Sequence, residues 1–284
     1  LPGENGFDYS TMNWAKLTNR GYELSLSTVN VKTKDFRWVM DFNLAHNKRK
    51  INRLNVRDNS YEPSREGYSV GAVFSLKTAG LDENGLQMFY NKQGEKVSFN
   101  DFFGLEYGYM MGGLIPFLKS NLSAEEYRNL FTYEGTTEPK FTGGWINRFY
   151  YKNFDLTVSA SFVLDQTVQE QPFYNPVQTS PGQNYSRRMS QIWSPDNTSG
   201  KYPRIMGTYT EGEENWAYQW LGMLDPGNSY RKYDYWFKKM SYMRINSIRL
   251  GYTFPERLLG HIGFSSARIS FEARNPFVFG SSYK

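Results

Sequence analysis

The side chains that most often carry out catalysis are scarce in this chain of 284 residues, and their spacing does not favour a reaction. There is no cysteine and there are two histidines, His46 and His261, so thiol chemistry and cysteine-based metal sites are excluded. Near each histidine in sequence there are no partner residues that would complete a metal site or a catalytic triad. Glu125 and Glu126 follow Ser123 as in a helix capping box, not as an acid–base pair. We predict that the protein is not an enzyme and needs no metal or other cofactor.

Aromatic side chains are the second group with a possible function, because rings line many ligand sites and stack on the apolar faces of sugars. Phe, Trp and Tyr make up 18% of the chain. The candidates lie in two long stretches without regular alternation, at Phe102, Phe103, Tyr107, Tyr109, Trp193, Tyr202, Trp216, Tyr218 and Trp220. Two interpretations stay open: these rings contact a substrate or a partner protein, or they pack the stretches onto one another.

The overall composition excludes several broad classes of protein. Lys and Arg number 33 against 28 Asp and Glu, without a long basic run, which argues against nucleic-acid binding. The mean hydropathy is −0.65, and no apolar run reaches the length of about 18 residues that a transmembrane helix needs. The opening residues, LPGENGFDYS, do not resemble a signal peptide. We therefore expect either a cytoplasmic protein or a piece of a longer one, and the strand pattern favours the second.

Six segments alternate between apolar and polar residues with a period of two, which predicts β-strands. They are residues 22–31, 36–47, 141–151, 154–164, 248–254 and 267–274. Runs of about ten residues are longer than the usual five or six of soluble strands. They match the 9–11 residues, roughly, that a tilted strand needs to cross a bilayer.

The connections between these segments are unequal in length. Residues 32–35, 152–153 and 255–266 are short connections, whereas residues 48–140 and 166–240 are long excursions rich in Gly, Asn, Tyr and Pro. Short turns at one end and long loops at the other are typical of outer-membrane barrels. Loops of this length without structure are uncommon inside compact soluble domains.

The same alternation also fits a second fold. In a β-sandwich the apolar faces form a core between two sheets, whereas in a membrane barrel they face lipid. Strand length and loop asymmetry favour the barrel, and the alternative is a soluble, secreted β-sandwich that binds glycans. In the barrel the polar faces line the lumen. Alternation then predicts that the lumen-facing residues include Arg249, Arg268, Glu272 and Arg274.

Five stretches, in one order along the chain, resemble the carboxyl-terminal barrel of SusC/RagA-type TonB-dependent transporters. They are NRGYELSLSTVNVKTKDFRWVMDFNLAHNKRKI (19–51), GYSVGAVFSLKTAGLDENGLQMFYNKQGE (67–95), FTGGWINRFYYKNFDLTVSASF (141–162), IWSPDNTSGKYPRI (192–205) and SYMRINSIRLGYTFPERLL (241–259). The resemblance covers most of the chain from Asn19 onward. One departure is Pro276, which stands in Asn-Pro-Phe where the family usually has Asn-Leu-Phe.

This resemblance implies a fold and a function. The fold is all-β, a transmembrane antiparallel β-barrel, to which this chain would contribute about six of roughly 22 strands. Residues 1–284 would form the carboxyl-terminal part of the barrel, with extracellular loops at 48–140 and 166–240, and without the plug domain, the earlier strands and the final strand. The implied function is TonB-dependent import of oligosaccharides or oligopeptides across the outer membrane of a Gram-negative, Bacteroidota-type cell. The implied partners are a SusD-like surface lipoprotein, the TonB complex through the plug, and outer-membrane lipid, but not nucleic acid.

Overall fold

The structure is a computed structural model that describes residues 15–55, 61–110, 115–179, 182–206, 217–260 and 263–280. The strands are β1 Ala15–Lys32, β2 Phe36–Leu54, β3 Ala72–Ser75, β4 Thr78–Leu81, β5 Gln87–Tyr90, β6 Lys96–Val97, β7 Leu105–Met110, β8 Ile115–Ser120, β9 Thr132–Thr136, β10 Phe141–Tyr151, β11 Phe154–Gln169, β12 Phe237–Thr253 and β13 Arg268–Phe279. The helices are α1 Phe99–Phe103, α2 Ala124–Asn129 and α3 Glu256–Leu259, with 3-10 turns at Arg187–Gln191, Ser229–Lys232 and Asp234–Trp236 and a π-helical turn at Trp220–Leu224. Among the helices in these ranges, none is long and apolar enough to cross a membrane.

The main element is a six-stranded antiparallel sheet in the order β1-β2-β10-β11-β12-β13. These are the six strands that alternation predicts, but several extend further toward the long excursions. β2 continues to Leu54 and β12 begins at Phe237, so the excursions as observed are shorter than residues 48–140 and 166–240. The extensions were not predicted, because their apolar and polar residues do not alternate although the backbone pairing continues.

The two faces of this sheet differ sharply in character. The strand register places Leu26, Phe42, Trp145, Ala160, Ile245 and Phe277 in one row across all six strands. Within the described residues no second sheet covers this apolar face, and Phe271 and Ile269 are 74% and 63% exposed. An apolar face that forms no core does not fit the β-sandwich. It fits the wall of a barrel that faces lipid.

Aromatic side chains mark both ends of the apolar face. Phe36, Tyr151, Phe154 and Tyr252 form a row beside the short turns. At the other end the ring of His46 lies 5.1 Å from those of both Tyr22 and Phe141. The rise from Phe36 to His46 is about 33 Å along the strand and about 23 Å after a tilt of about 45°, which is close to the height of the apolar band of an outer-membrane barrel.

The buried residues lie mostly in the two excursions, which pack against each other. Phe89, Phe103, Tyr233 and Trp236 have no exposed surface or almost none, and Trp220 is 1% exposed. The ring centroids of Phe103 and Trp220, one from each excursion, are 4.4 Å apart. We call this cluster of buried aromatic residues the loop core.

Polar contacts also join the two excursions. Thr78 donates its hydroxyl to Asp234 Oδ1 at 2.6 Å, and Lys232 Nζ lies 2.6 Å from Glu62 Oε1. Leu76 and Tyr233 form an isolated parallel bridge. The excursions therefore fold as one unit at one end of the sheet, and the short turns lie at the other.

Candidate functional site

The polar face of the sheet carries ion pairs that cross between strands. Arg148 Nη1 on β10 donates to Asp41 Oδ2 on β2, and Ser27 Oγ on β1 donates to Asp41 Oδ1 at 2.7 Å. Three neighbouring strands are thus linked through one carboxylate. The sequence alone does not mark these residues as a site, although alternation already places all of them on the polar face.

A second ion pair spans a whole strand. Arg268 Nη2 on β13 donates to both carboxylate oxygens of Asp155 on β11, at 2.9 and 2.8 Å. The strand between them, β12, has Gly251 at this point, and a Cβ there would overlap both the guanidinium and the carboxylate. The absence of a side chain at Gly251 therefore opens the path for this contact.

The other predicted lumen-facing residues lie on this same polar face. In the strand register, Arg249 lies opposite Glu272, and Ser247 lies opposite Arg274. Arg274 Nε lies 3.5 Å from Glu272 Oε1, and both side chains are exposed. The structure thus brings Arg249, Arg268, Glu272 and Arg274 to one surface, which is lined with charge of both signs.

Several of the predicted contact aromatics lie inside the loop core. Phe102, Phe103 and Trp220 are 5%, 0% and 1% exposed. Phe102 stacks on Phe89 with ring centroids 4.2 Å apart. These three rings pack the excursions together, which is one of the two interpretations left open by the sequence.

The rings of Trp193 and Tyr202 are held in place by contacts with neighbouring residues. Trp193 packs its ring against Gly85, which has a φ of +75° and leaves no room for a Cβ. Tyr202 stacks on Trp236 with ring centroids 5.5 Å apart, and its hydroxyl accepts a hydrogen bond from Arg188 Nη2 at 2.7 Å. Trp193 also borders a recess of about 500 Å³ together with Met189, Ile192, Arg204 and Ile205.

The remaining predicted aromatics are more varied in position. Tyr107 lies on β7 and is 37% exposed, and Tyr218 is half-buried against the loop core. Tyr109 pairs through its backbone with Pro116. Trp216 lies outside the described residues. Of the predicted set, Tyr107 has the largest exposed fraction among the side chains described.

A second charged group ties the end of β11 to the second excursion. Glu170 forms ion pairs with Arg188 and with Lys238, whose Nζ lies 2.5 Å from Glu170 Oε2. Burial alone would raise the pKa of Glu170, but the hydrogen bonds from Lys238 and Arg188 outweigh it, so the pKa is lowered. The Arg188 guanidinium also lies 4.5 Å from the ring centroid of Phe173, which anchors the start of the second excursion.

A further recess, of about 440 Å³, lies within the second excursion. Its lining includes Phe173, Tyr174, Leu221, Asp225 and Tyr230. Burial raises the pKa of the Asp225 carboxyl, although hydrogen bonds from Ser229, Gly227 and Tyr127 partly offset this effect. No cluster of three His, Asp or Glu side chains that could hold a metal ion occurs among the described residues. The polar face of the sheet and the two recesses in the excursions thus offer polar and aromatic surfaces to which a ligand could bind.

Comparison with known proteins tests the resemblance directly. No family model matches the chain. TonB-dependent receptor P3 of Formosa agariphila is 26% identical, over 98% of this chain and 26% of the relative. TonB-dependent receptor P39 of the same organism is 24% identical, over 98% of this chain and 28% of the relative. The resemblance to TonB-dependent transporters is confirmed.

Solved structures of such transporters have the same fold. A chain of the RagAB peptide transporter aligns with 99% of this chain and 28% of its own length, at a TM-score of 0.66 and 18% identity. A chain of the RagAB peptide importer in the "open-open" state gives a TM-score of 0.63. The predicted fold, an all-β partial barrel of antiparallel strands, is confirmed.

The matched proteins are much longer than this chain. It spans about a quarter of the length of the curated TonB-dependent receptors that it matches. These relatives are named as receptors, and the structural neighbours as transporters, rather than as enzymes. This agrees with the expectation from the sequence that the protein is not an enzyme.

Proposed function

We propose that this chain is part of a TonB-dependent importer in the outer membrane of a Gram-negative cell, and that it supplies the carboxyl-terminal wall of the barrel. The observation that carries the proposal is the contrast between the two sheet faces. One face is apolar, bounded by aromatic rows and, in the part of the chain that the structure describes, not covered by a second sheet. The other holds inter-strand ion pairs. A barrel wall between lipid and a polar lumen needs this contrast.

The edges of the sheet support a larger barrel. Within the described residues, β1 pairs only with β2, and β13 only with β12. Unpaired backbone groups at such edges cost several kcal/mol each in lipid, roughly, unless other strands cover them. We propose that further strands of the parent protein close the barrel and that a plug fills it. Residues 48–140 and 166–240 would then project from the cell surface.

We further propose that the imported substrate is an oligopeptide or an oligosaccharide, held beneath a SusD-like surface lipoprotein. The peptide alternative has support from the RagAB neighbours, which are named as a peptide transporter and importer. Tyr107, the recess beside Trp193 and the recess beside Tyr230 would contribute contacts with substrate or lid. The ion-paired polar face would line the path below them. TonB would act through the plug.

The first experiment is fractionation of cells that express the full-length parent protein. We expect the parent in the outer-membrane fraction, soluble only in detergent, with a band that shifts on heating and a lipoprotein that copurifies. Uptake of labelled oligopeptides and oligosaccharides should fall when the parent gene is deleted, for one of the two classes. A parent protein that is soluble without detergent would contradict the proposal and favour a secreted glycan-binding module.

A further inference from the structure

Three basic side chains lie together on the apolar face of the sheet, just beyond the aromatic row at its loop end. Tyr22 on β1 and His46 on β2 are register partners in that row. The next pair on the same face is Arg20 and Lys48, and the pair after it is Thr18 and Lys50. Residues two apart on a strand share a face. Arg20, Lys48 and Lys50, which we call the basic cluster, therefore project outward, away from the polar face.

The basic cluster is unfavourable without an anion. Arg20 and Lys48 are directly opposite each other, and like charges in this position destabilise a strand pair. All three side chains are exposed, and none forms an ion pair within the described part of the chain. By contrast, the neighbouring Arg49 on the other face lies 2.5 Å from Glu138 Oε1. The inward cation is neutralised, and the outward ones are not.

A cavity opens beside the basic cluster. β10 begins at Phe141, so the part of β2 beyond His46 does not pair with β10. The cavity there has a volume of about 610 Å³. Its lining combines basic and acidic side chains from both faces of β2 and from its surroundings, including Lys48, Arg49, Lys50, Lys140, Glu134, Glu138 and Asp165. Lys140 Nζ lies 5.8 Å from the ring centroid of Phe141, which places a fourth cation beside the same aromatic row. The space is of the size that binds small ligands.

We propose that Arg20, Lys48 and Lys50 bind the phosphate groups of an anionic glycolipid in the outer leaflet of the outer membrane. The inference rests on the proposed function, because it needs the apolar face to lie in that membrane. Aromatic rows lie at the boundary between hydrocarbon and headgroups, so the next residues outward on this face meet the headgroups. Arg and Lys are the side chains that pair with phosphate there.

An imported substrate is a less suitable ligand for this cluster. A substrate crosses the lumen, which the polar face lines, whereas the basic cluster points to the opposite side of the wall. A glycolipid headgroup approaches from that side. The cavity beside Lys50 would receive its sugar, and the cations its phosphates.

The test uses the full-length parent protein, purified in detergent and titrated with phosphorylated lipid A. Bound lipid is counted by native mass spectrometry. Each cation near an anionic lipid surface contributes about a fivefold change in affinity. We therefore expect Lys48→Gln with Lys50→Gln to weaken binding by roughly thirtyfold. The matched control, Lys32→Gln with Lys34→Gln, removes the same charge at the other end of the hairpin and should bind as the wild type does. Lipid A without phosphates should bind weakly to all three proteins.

Two results would overturn the inference: equal binding by the variant and the wild type, or equal binding of lipid A with and without phosphates. Each variant must first show the heat-modifiable band of a folded barrel, so a folding defect is seen separately. A parent that is found outside the membrane contradicts the proposed function as well. A folded outer-membrane parent that does not distinguish the two lipids contradicts only the lipid site.

Discussion

Gly251 controls a contact between residues on two other strands. Arg268 reaches across it to Asp155 because no side chain stands in the way. The atoms that a Cβ would meet are the ends of two side chains that can move, not backbone. An alanine at this position can therefore be accommodated, provided that the ion pair breaks or shifts. The cost of the substitution should equal the value of the contact.

We expect Gly251→Ala to lower the free energy of unfolding by about 1 kcal/mol or less, since the ion pair is partly exposed. In an Arg268→Ala background the same substitution should have almost no effect, because the contact is already gone. The measurement is loss of the heat-modifiable band of the parent protein against urea. Gly260→Ala is the control, since a Cβ there meets open space. An equal cost of Gly251→Ala in both backgrounds would contradict this account.

At the scale of elements, local signals were predictable and distant contacts were not. The capping box at Ser123 is present, with Ser123 N donating to Glu126 Oε2 at 2.8 Å, because it depends on four consecutive residues. The six strands were predictable because the apolar or polar character of each residue indicates the face of the sheet on which it lies. The loop core was not, because Phe103 meets Trp220 only after both excursions fold, and aromatic composition alone does not distinguish packing from ligand contact. Likewise, the Asp41–Arg148 pair depends on a strand register set across a long excursion.

The turn after the π-helical segment depends on one half-buried carboxylate. Asp225 accepts hydrogen bonds from Tyr127 Oη at 3.0 Å, from Gly227 N at 3.2 Å and from Ser229 N. Its raised pKa means that the folded loop core binds this proton more tightly than the unfolded chain does. The contribution of Asp225 to the stability of the loop core should therefore be greatest at low pH, and should fall as pH rises from the ordinary carboxyl pKa of 3.8 through the raised value.

We expect Asp225→Asn to remove this pH dependence, because the amide stays neutral. The measurement is hydrogen exchange at the amides of Gly227 and Ser229 in the parent protein, corrected for the intrinsic effect of pH on exchange. Asp82→Asn is the control, since Asp82 caps a separate turn by accepting from Asn84 N and Leu86 N. Opening of the Asp225 turn that is independent of pH in the wild type would contradict the prediction.

At the scale of the whole molecule, one sheet must satisfy two surroundings at once. The backbone pairing is the same for both faces, and only the alternation of side chains separates them. Val158 and Ser159 show this at the middle of β11. Val158 shares a row with Asn147 and Ile248, between the aromatic rows, whereas Ser159 shares one with Ile146 and Ser247 on the polar face. Asn147 on the apolar face accepts a hydrogen bond at its Oδ1 from Trp38 Nε1, at 2.9 Å.

Arginine at these two adjacent positions should therefore have opposite consequences. We expect Val158→Arg to destabilise the inserted parent protein by about 2–4 kcal/mol, the cost of a cation on the lipid face near the bilayer midplane. Ser159→Arg should be tolerated, because its side chain enters the polar side of the wall. The measurement is the fraction of parent protein that gives a heat-modifiable band after refolding into lipid vesicles over a urea series. If the polar side were the lipid side, the order of the two variants would reverse. Equal loss in both would mean that neither face meets lipid.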